Sequence, residues 1–88
     1  MKADNMLAKL KDILSAERHA QLEKYASLKK VLKALRDEKR RLEWVLESET
    51  NDAAQHEISS RLKVISKQRR KGLKVLQELK TEREKTRK

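Results

Sequence analysis

The chain has 88 residues, 43% of them charged, and a net charge of +10. A chain this short forms at most one domain and buries a modest core unless a second subunit, a metal or disulfides help. Cysteine is absent, which excludes disulfides and favours a reducing cytoplasmic setting, with a nucleoid-associated or nuclear one as the alternative. No apolar run approaches a signal-peptide core or a membrane span, so we expect a soluble, unprocessed chain.

The residue types favour helix along the whole chain. Proline is absent, glycine occurs once, and strong helix formers dominate. High charge is also typical of disorder, but apolar residues recur at helical spacing, which indicates packed helices.

The first predicted helix runs from about residue 3 to about residue 47. Spacings of three and four define a heptad stripe in it, weakened upstream by polar residues such as Gln21. The stripe consists of Tyr25, Leu28, Leu32, Leu35, Lys39, Leu42 and Leu46.

A turn is predicted at about residues 48–52, where Ser, Thr, Asn and Asp cluster as natural N-cap residues. Asp52 followed by Gln55 resembles a capping box in which the aspartate is the cap. The second helix is then predicted over about residues 53–85.

The second helix has its own stripe, displaced by two residues from the first register. Continuous coiled coils do not absorb such a shift, so we predict an all-α fold for the single domain 1–88: a two-helix antiparallel coiled-coil hairpin. In it, position i faces roughly position 100 minus i. The second stripe consists of Ile58, Leu62, Ile65, Arg69, Gly72, Leu76 and Leu79.

The single glycine, Gly72, disfavours helix by about 1 kcal/mol relative to alanine. Either Tyr25 and Leu28 pack against its bare backbone, or the glycine is simply tolerated.

An apolar N-terminal segment extends beyond the reach of the second helix in this hairpin. We expect it to drive self-association into a four-helix arrangement, as a homo-oligomer; the alternative is a frayed end whose leucines pack locally. The residues concerned are Met6, Leu7, Leu10, Ile13 and Leu14.

Positive charge is concentrated in the middle of the hairpin. Residues 23–42 and 58–77 together hold fifteen cations and three acids, a net of +12, while the rest holds nine and eleven, a net of −2. Like charges at one level repel, and an external polyanion relieves this; alternatively, the long side chains extend into water and shield the seam. The predicted binding residues are Lys29, Lys30, Lys33, Arg36, Arg40, Arg41, Arg61, Lys63, Lys67, Arg69, Arg70, Lys71 and Lys74.

Three further residues attract separate interpretations. Lys39 and Arg69 occupy seam positions, where a polar residue commonly selects register or oligomeric state. Trp44 falls on the outer face near the turn and is a candidate partner contact; the alternative is that it lies flat across the flank.

No catalytic residue, metal site, cofactor or small-molecule substrate is predicted. His56 with Ser59 or Ser60 lacks an orienting acid and oxyanion donors, and His19 with Glu23 supplies too few metal ligands. The cations do not oppose a free lipid-facing surface, so we expect no membrane-surface role either.

We therefore expect a non-enzymatic coiled-coil interaction protein that self-associates and docks an acidic partner protein through its basic mid-section. The alternative is a sequence-nonspecific nucleic-acid-binding protein that contacts phosphates through the same surface. Base recognition is not expected, because two isolated aromatic residues give no stacking platform.

Overall fold

The computed structural model describes residues 2–86, and this part of the chain is helical apart from short connections. Four helices follow in order: α1 is Lys2–Ser15, α2 is Arg18–Glu23, α3 is Tyr25–Ser48 and α4 is Asp52–Thr86. They pack against one another, and the described residues contain no strand. The predicted all-α class is confirmed.

The two long helices, α3 and α4, lie side by side and run in opposite directions. Midway along them, Arg69 Nε donates to the carbonyl oxygen of Leu32 at 3.3 Å. Farther from the turn, the guanidinium carbon of Arg83 lies 4.1 Å from the centre of the Tyr25 ring. Later residues of α4 thus meet earlier residues of α3, and the 35-residue α4 spans about 52 Å.

The predicted single helix over residues 3–47 is wrong. Helix α1 ends at Ser15, α2 begins at Arg18, and a further irregularity at Lys24 separates α2 from α3. A continuous helix of that length would extend about 68 Å, whereas the longest dimension of the molecule is 55 Å. Helix α1 instead folds back onto α3 and α4, because this removes from water an apolar face that a straight helix leaves exposed.

Polar side chains hold the reversal between α1 and α3. Glu17 Oε1 accepts a hydrogen bond from the Ala20 amide at 2.9 Å and caps α2. Gln21 Nε2 donates to the carbonyl oxygens of Ile13 at 3.0 Å and Leu14 at 3.4 Å, near the C-terminus of α1, where helix carbonyls lack partners. The buried Gln21, which weakens the heptad pattern, therefore links α1 to α2.

The turn between α3 and α4 lies where the cap residues predicted it, since α3 ends at Ser48 and α4 begins at Asp52. The cap itself lies one residue earlier than expected. Asn51 Oδ1 accepts from the Ala54 amide at 3.0 Å, the three-residue spacing that an N-cap needs. Asp52 lies inside the first turn, where its charge favours the positive end of the helix dipole.

The apolar core lies where α1, α3 and α4 meet. Helix α3 supplies five of the nine buried core residues, four of them from its stripe as the spacing predicted, and α1 adds two residues that a two-helix hairpin leaves out. The predicted two-helix architecture is therefore corrected: α1 covers one side of the α3 and α4 pair. The buried core residues are Leu10, Ile13, Leu28, Val31, Leu32, Leu35, Leu42, Ile65 and Leu79.

Gly72 permits a close approach of α1 and α3 to α4. A Cβ added at this buried glycine would lie 2.6 Å from Leu32 Cδ2 and 3.0 Å from Leu10 Cδ1. The packing explanation is thus favoured over a merely tolerated glycine. The neighbours, however, are Leu32 and Leu10 and not the expected Tyr25 and Leu28.

Candidate functional site

Eight of the predicted cations form two stripes, one on each long helix. Spacings of four, three and four residues place the members of each stripe on one side of its helix. All are exposed except Arg36, which is half-buried. The α3 stripe consists of Lys29, Lys33, Arg36 and Arg40, and the α4 stripe consists of Lys63, Lys67, Arg70 and Lys74.

The two stripes lie at the same level of the molecule. Arg69, which precedes Arg70, bonds to the carbonyl oxygen of Leu32, which precedes Lys33. The side chain of Leu32 also meets Gly72. Because α3 and α4 are antiparallel, these contacts place the middles of both stripes at the same level along the pair. The α4 stripe lies on the exposed side of α4, away from the buried Ile65 and Gly72.

An open groove of about 380 Å³ runs between α3 and α4 at this level, and we call it the α3/α4 groove. It combines an apolar floor with basic walls, and α1 contributes no residue to its lining. Leu73 is 41% exposed there, a large fraction for a big aliphatic side chain. The groove is lined by Lys29, Lys30, Leu32, Lys33, Arg36, Arg69, Leu73 and Leu76.

Helix α1 covers the opposite side of the pair. Its residues Asp4 and Leu7 lie beside Val64 and Ile65 of α4, and farther along α1 its Ile13 is buried in the core. One groove between α3 and α4 is thus filled by the chain itself, and the other is open.

Three of the thirteen predicted cations belong to neither stripe and are not among the residues that line the α3/α4 groove. Arg41 pairs with Glu38 on its own helix. Arg61 lies 3.8 Å from Glu57 and lines the groove beside α1. Lys71 belongs to neither stripe by the heptad spacing, but it follows the exposed Lys67 by four residues and so borders the α4 stripe. Arg41 and Arg61 shared a sequence segment with the stripes but are paired with acids of their own helices.

Most of the predicted cations have no carboxylate partner. The acids of residues 23–42 are each bound by a close sequence neighbour, in the pairs His19–Glu23, Arg36–Asp37 and Arg41–Glu38. Of the thirteen cations, only Arg36, Arg41 and Arg61 lie within 4 Å of a carboxylate among the described residues. The other ten therefore repel one another without local compensation.

Two guanidinium groups of the groove are half-buried. Arg36 Nε is enclosed and has no hydrogen-bond partner in the described part of the chain, while its terminal nitrogen lies 3.4 Å from Asp37. Arg69 bonds to a main-chain carbonyl and to no carboxylate in that same part. An enclosed donor without an acceptor is unfavourable. A ligand carboxylate or phosphate in the groove would meet the exposed part of the Arg36 side chain, which is 40% exposed.

Trp44 is 72% exposed, the largest exposure among the big apolar side chains described. The alternative, a tryptophan ring lying flat against the side of the helix pair, would bury more of the side chain than this. Trp44 follows Arg40 by four residues and so continues the side of α3 that carries the α3 stripe.

The surface predicted for self-association is packed inside the chain. Leu10 and Ile13 are 0% and 4% exposed, and Met6, Leu7 and Leu14 pack against the same core. The expected overhang does not exist, because the break after α1 lets these residues cover α3 and α4 of their own chain. Leu10 and Ile13 are therefore not free to meet a second copy in this fold.

Two residues that matter in this geometry were missed by the sequence pattern. Leu73 lies one position past the stripe residue Gly72, so the heptad pattern assigned it to the outer face of the helix. Its position as an aliphatic residue among unpaired cations was the sequence signal that could have identified it as part of a binding surface. Gln21 counted only as a defect in the heptad, because nothing in the local pattern indicates the carbonyl groups it bonds.

The described residues offer little reactive chemistry. No group of three His, Cys, Asp or Glu side chains there is placed to hold a metal ion. His19 and Glu23 form an exposed pair at 3.2 Å. No helix in the described range is both long and apolar enough to cross a membrane.

Comparison with protein families, curated proteins and solved structures gave no match. A function can therefore be proposed only from the geometry of the basic surface.

Proposed function

We propose that this chain is a non-enzymatic interaction protein that docks an acidic partner protein through the face formed by the α3 stripe, the α4 stripe and the α3/α4 groove. One observation carries the proposal: among the described residues, ten predicted cations have no carboxylate within 4 Å, and nine of these ten, all but Lys71, line the α3/α4 groove or belong to the two stripes. An acidic surface brought to this face removes repulsion that the fold leaves uncompensated.

An acidic protein fits this face better than a nucleic acid because apolar side chains accompany the charge. Leu73 lies in the α3/α4 groove, and Trp44 continues the α3 stripe. Aromatic and aliphatic anchors next to cations are typical of protein interfaces, whereas phosphate contacts require the cations alone.

The second candidate function is sequence-nonspecific binding of nucleic acid. Its support is the regular spacing of the two stripes, which offers exposed cations at one level of both long helices. Such binding would go to phosphates and would weaken steeply as the salt concentration rises.

Self-association is a separate proposal. With Leu10 and Ile13 buried in their own chain, it would have to use another surface. A docking face with this much positive charge disfavours two copies meeting face to face.

The two candidate functions are separated by a salt-titrated binding experiment on the full chain. The probes are poly-L-glutamate and a mixed-sequence duplex of about 20 base pairs. We expect glutamate binding at physiological salt and no retention of the duplex; retention of the duplex alone would favour the second function.

Charge-reversal variants test whether this face is responsible. The triple variant Lys33→Glu, Arg40→Glu, Arg70→Glu is expected to lose binding by at least about tenfold. The control triple Lys11→Glu, Lys80→Glu, Lys85→Glu makes the same change in net charge at exposed positions elsewhere and should lose much less. Equal losses in the two variants would mean that net charge, and not this face, determines binding.

A further inference from the structure

The pair of helices α3 and α4 has two sides, and on one of them a helix of the same chain is packed. Helix α1 lies along one side, with Leu10 next to Leu32 and Gly72 and Ile13 buried in the core. An amphipathic helix is therefore the element that this helix pair packs against.

The other side carries a second apolar strip. Leu32, Leu73 and Leu76 form the floor of the α3/α4 groove. Leu73 stays 41% exposed although it lies between two long helices. The groove residues extend over seven helical steps on each helix, from Lys29 to Arg36 and from Arg69 to Leu76, which is about 10 Å or two turns. An aliphatic stripe on a third helix fits that length.

The charged side chains that line the α3/α4 groove determine which charge a bound helix must carry. Among the described residues, five cations and no acid line the groove. An occupant with acidic residues flanking its apolar stripe would supply acceptors on both sides.

The same charge disfavours two other occupants. A second copy of this chain carries a net charge of +10 and would bring further cations. A nucleic acid would satisfy the cations with phosphates but would leave Leu73 uncovered by any apolar group.

We propose that the α3/α4 groove is the docking site for an acidic amphipathic helix of a partner protein. Its apolar residues, at spacings of three and four, cover Leu73 and Leu76 beside the buried Leu32. Its carboxylates meet Lys29, Lys33, Arg36 and Arg69. This inference rests on the proposed function and names the element through which the partner docks. The docked helix lies on the side opposite α1 and completes a bundle of four helices, with the fourth supplied by another protein.

The test uses the full chain and two synthetic peptides of about 20 residues. Both contain the same numbers of Glu, Leu and Ala; one has its leucines on a single helical face, and the other has them distributed around the helix. We expect the amphipathic peptide to bind at least about tenfold more tightly than its isomer, because only it can cover the groove floor. Binding is measured by calorimetry at physiological salt.

Leu73→Gln and Val64→Gln form a matched pair of variants. Both residues are exposed aliphatic side chains of α4, but Val64 lines the groove beside α1. Leu73→Gln should reduce binding of the amphipathic peptide to the level of the isomer, and Val64→Gln should leave it unchanged. Helical circular dichroism of each variant verifies that the fold is intact.

The outcomes separate the inference from the proposed function. If the two peptides bind equally and Leu73→Gln does not affect their binding, the inference of a docked amphipathic helix is overturned. The proposed function, docking of an acidic partner protein, is then retained. Failure of both acidic peptides, with retention of duplex DNA, would overturn the proposed function as well. A chain that sediments as a dimer and is dissociated by Leu73→Gln would show that a second copy occupies the groove, which also overturns the inference.

Discussion

At the scale of single residues, Gly72 lets α1, α3 and α4 pack closely because it has no side chain. Glycine disfavours helix because it loses more backbone freedom on folding than alanine does. Here the missing Cβ is the space into which Leu32 and Leu10 extend. The unfavourable helix propensity is therefore offset by the burial of two leucines.

We predict that Gly72→Ala lowers the free energy of unfolding. Alanine gains about 1 kcal/mol of helix propensity, but overpacking a filled core costs typically about 1–3 kcal/mol. In a Leu32→Ala background, where the nearest atom is gone, the loss should shrink by at least about 1 kcal/mol. Urea unfolding of the four proteins gives the coupling directly, and equal effects of Gly72→Ala in both backgrounds would contradict this account.

At the scale of elements, the break between α1 and α3 is decided by packing and not by helix-breaking residues. The connection contains Ala16 and Glu17, and neither proline nor glycine. Local propensity therefore favours a continuous helix. Burial of Leu10 and Ile13, together with the bonds from Gln21 to the end of α1, favours the reversal.

We predict that Leu10→Ala lowers the free energy of unfolding by about 2–5 kcal/mol, since the side chain is fully buried. The exposed Val64→Ala should change it by less than about 1 kcal/mol. The solution mass of Leu10→Ala, measured by sedimentation, should equal that of the unmodified chain, because Leu10 packs inside its own chain. A fall in mass would place Leu10 at a contact between copies instead.

At the scale of the whole molecule, the basic face works against the compact fold. Residues 23–42 and 58–77 carry a net charge of +12, and the antiparallel packing of α3 and α4 brings these segments together. Contacts such as Arg18 with Glu78 at 3.0 Å lie outside this face. They are exposed pairs that contribute little.

We predict that added sodium chloride raises the melting temperature. Between about 0.01 M and about 1 M salt the screening length falls from about 30 Å to about 3 Å, so repulsion across the face weakens. The triple variant Lys33→Glu, Arg40→Glu, Arg70→Glu should melt higher at low salt and respond less to added salt. The triple Lys11→Glu, Lys80→Glu, Lys85→Glu should keep the salt response. An unmodified chain whose melting temperature is independent of salt would show that the cations do not destabilise the fold.

The all-helical class, the turn near residue 50, the buried stripe of α3 and the outward position of Trp44 could be predicted because they depend on local chemistry. Helix propensity, N-cap side chains and three-four spacing act between residues close in sequence. The two basic segments could also be placed side by side, since an antiparallel pair follows from a turn between two stripes. The cation list was too broad because a sequence segment contains every side of a helix: Arg61 lines the groove beside α1 and not the α3/α4 groove.

The amino-acid sequence by itself therefore determined that this protein is helical, where the chain reverses between α3 and α4, and where its positive charge is concentrated. Only the tertiary structure decided that α1 folds back, that Gln21 and Gly72 are packing residues, and that the α3/α4 groove stays open. The reason is physical: helix propensity is a sum of local preferences of tenths of a kcal/mol, whereas burial of one aliphatic side chain such as Leu10 contributes about 1.5–3 kcal/mol. Contacts between residues distant in sequence decide which apolar helix face is buried and which stays exposed. A local sequence pattern does not contain these contacts.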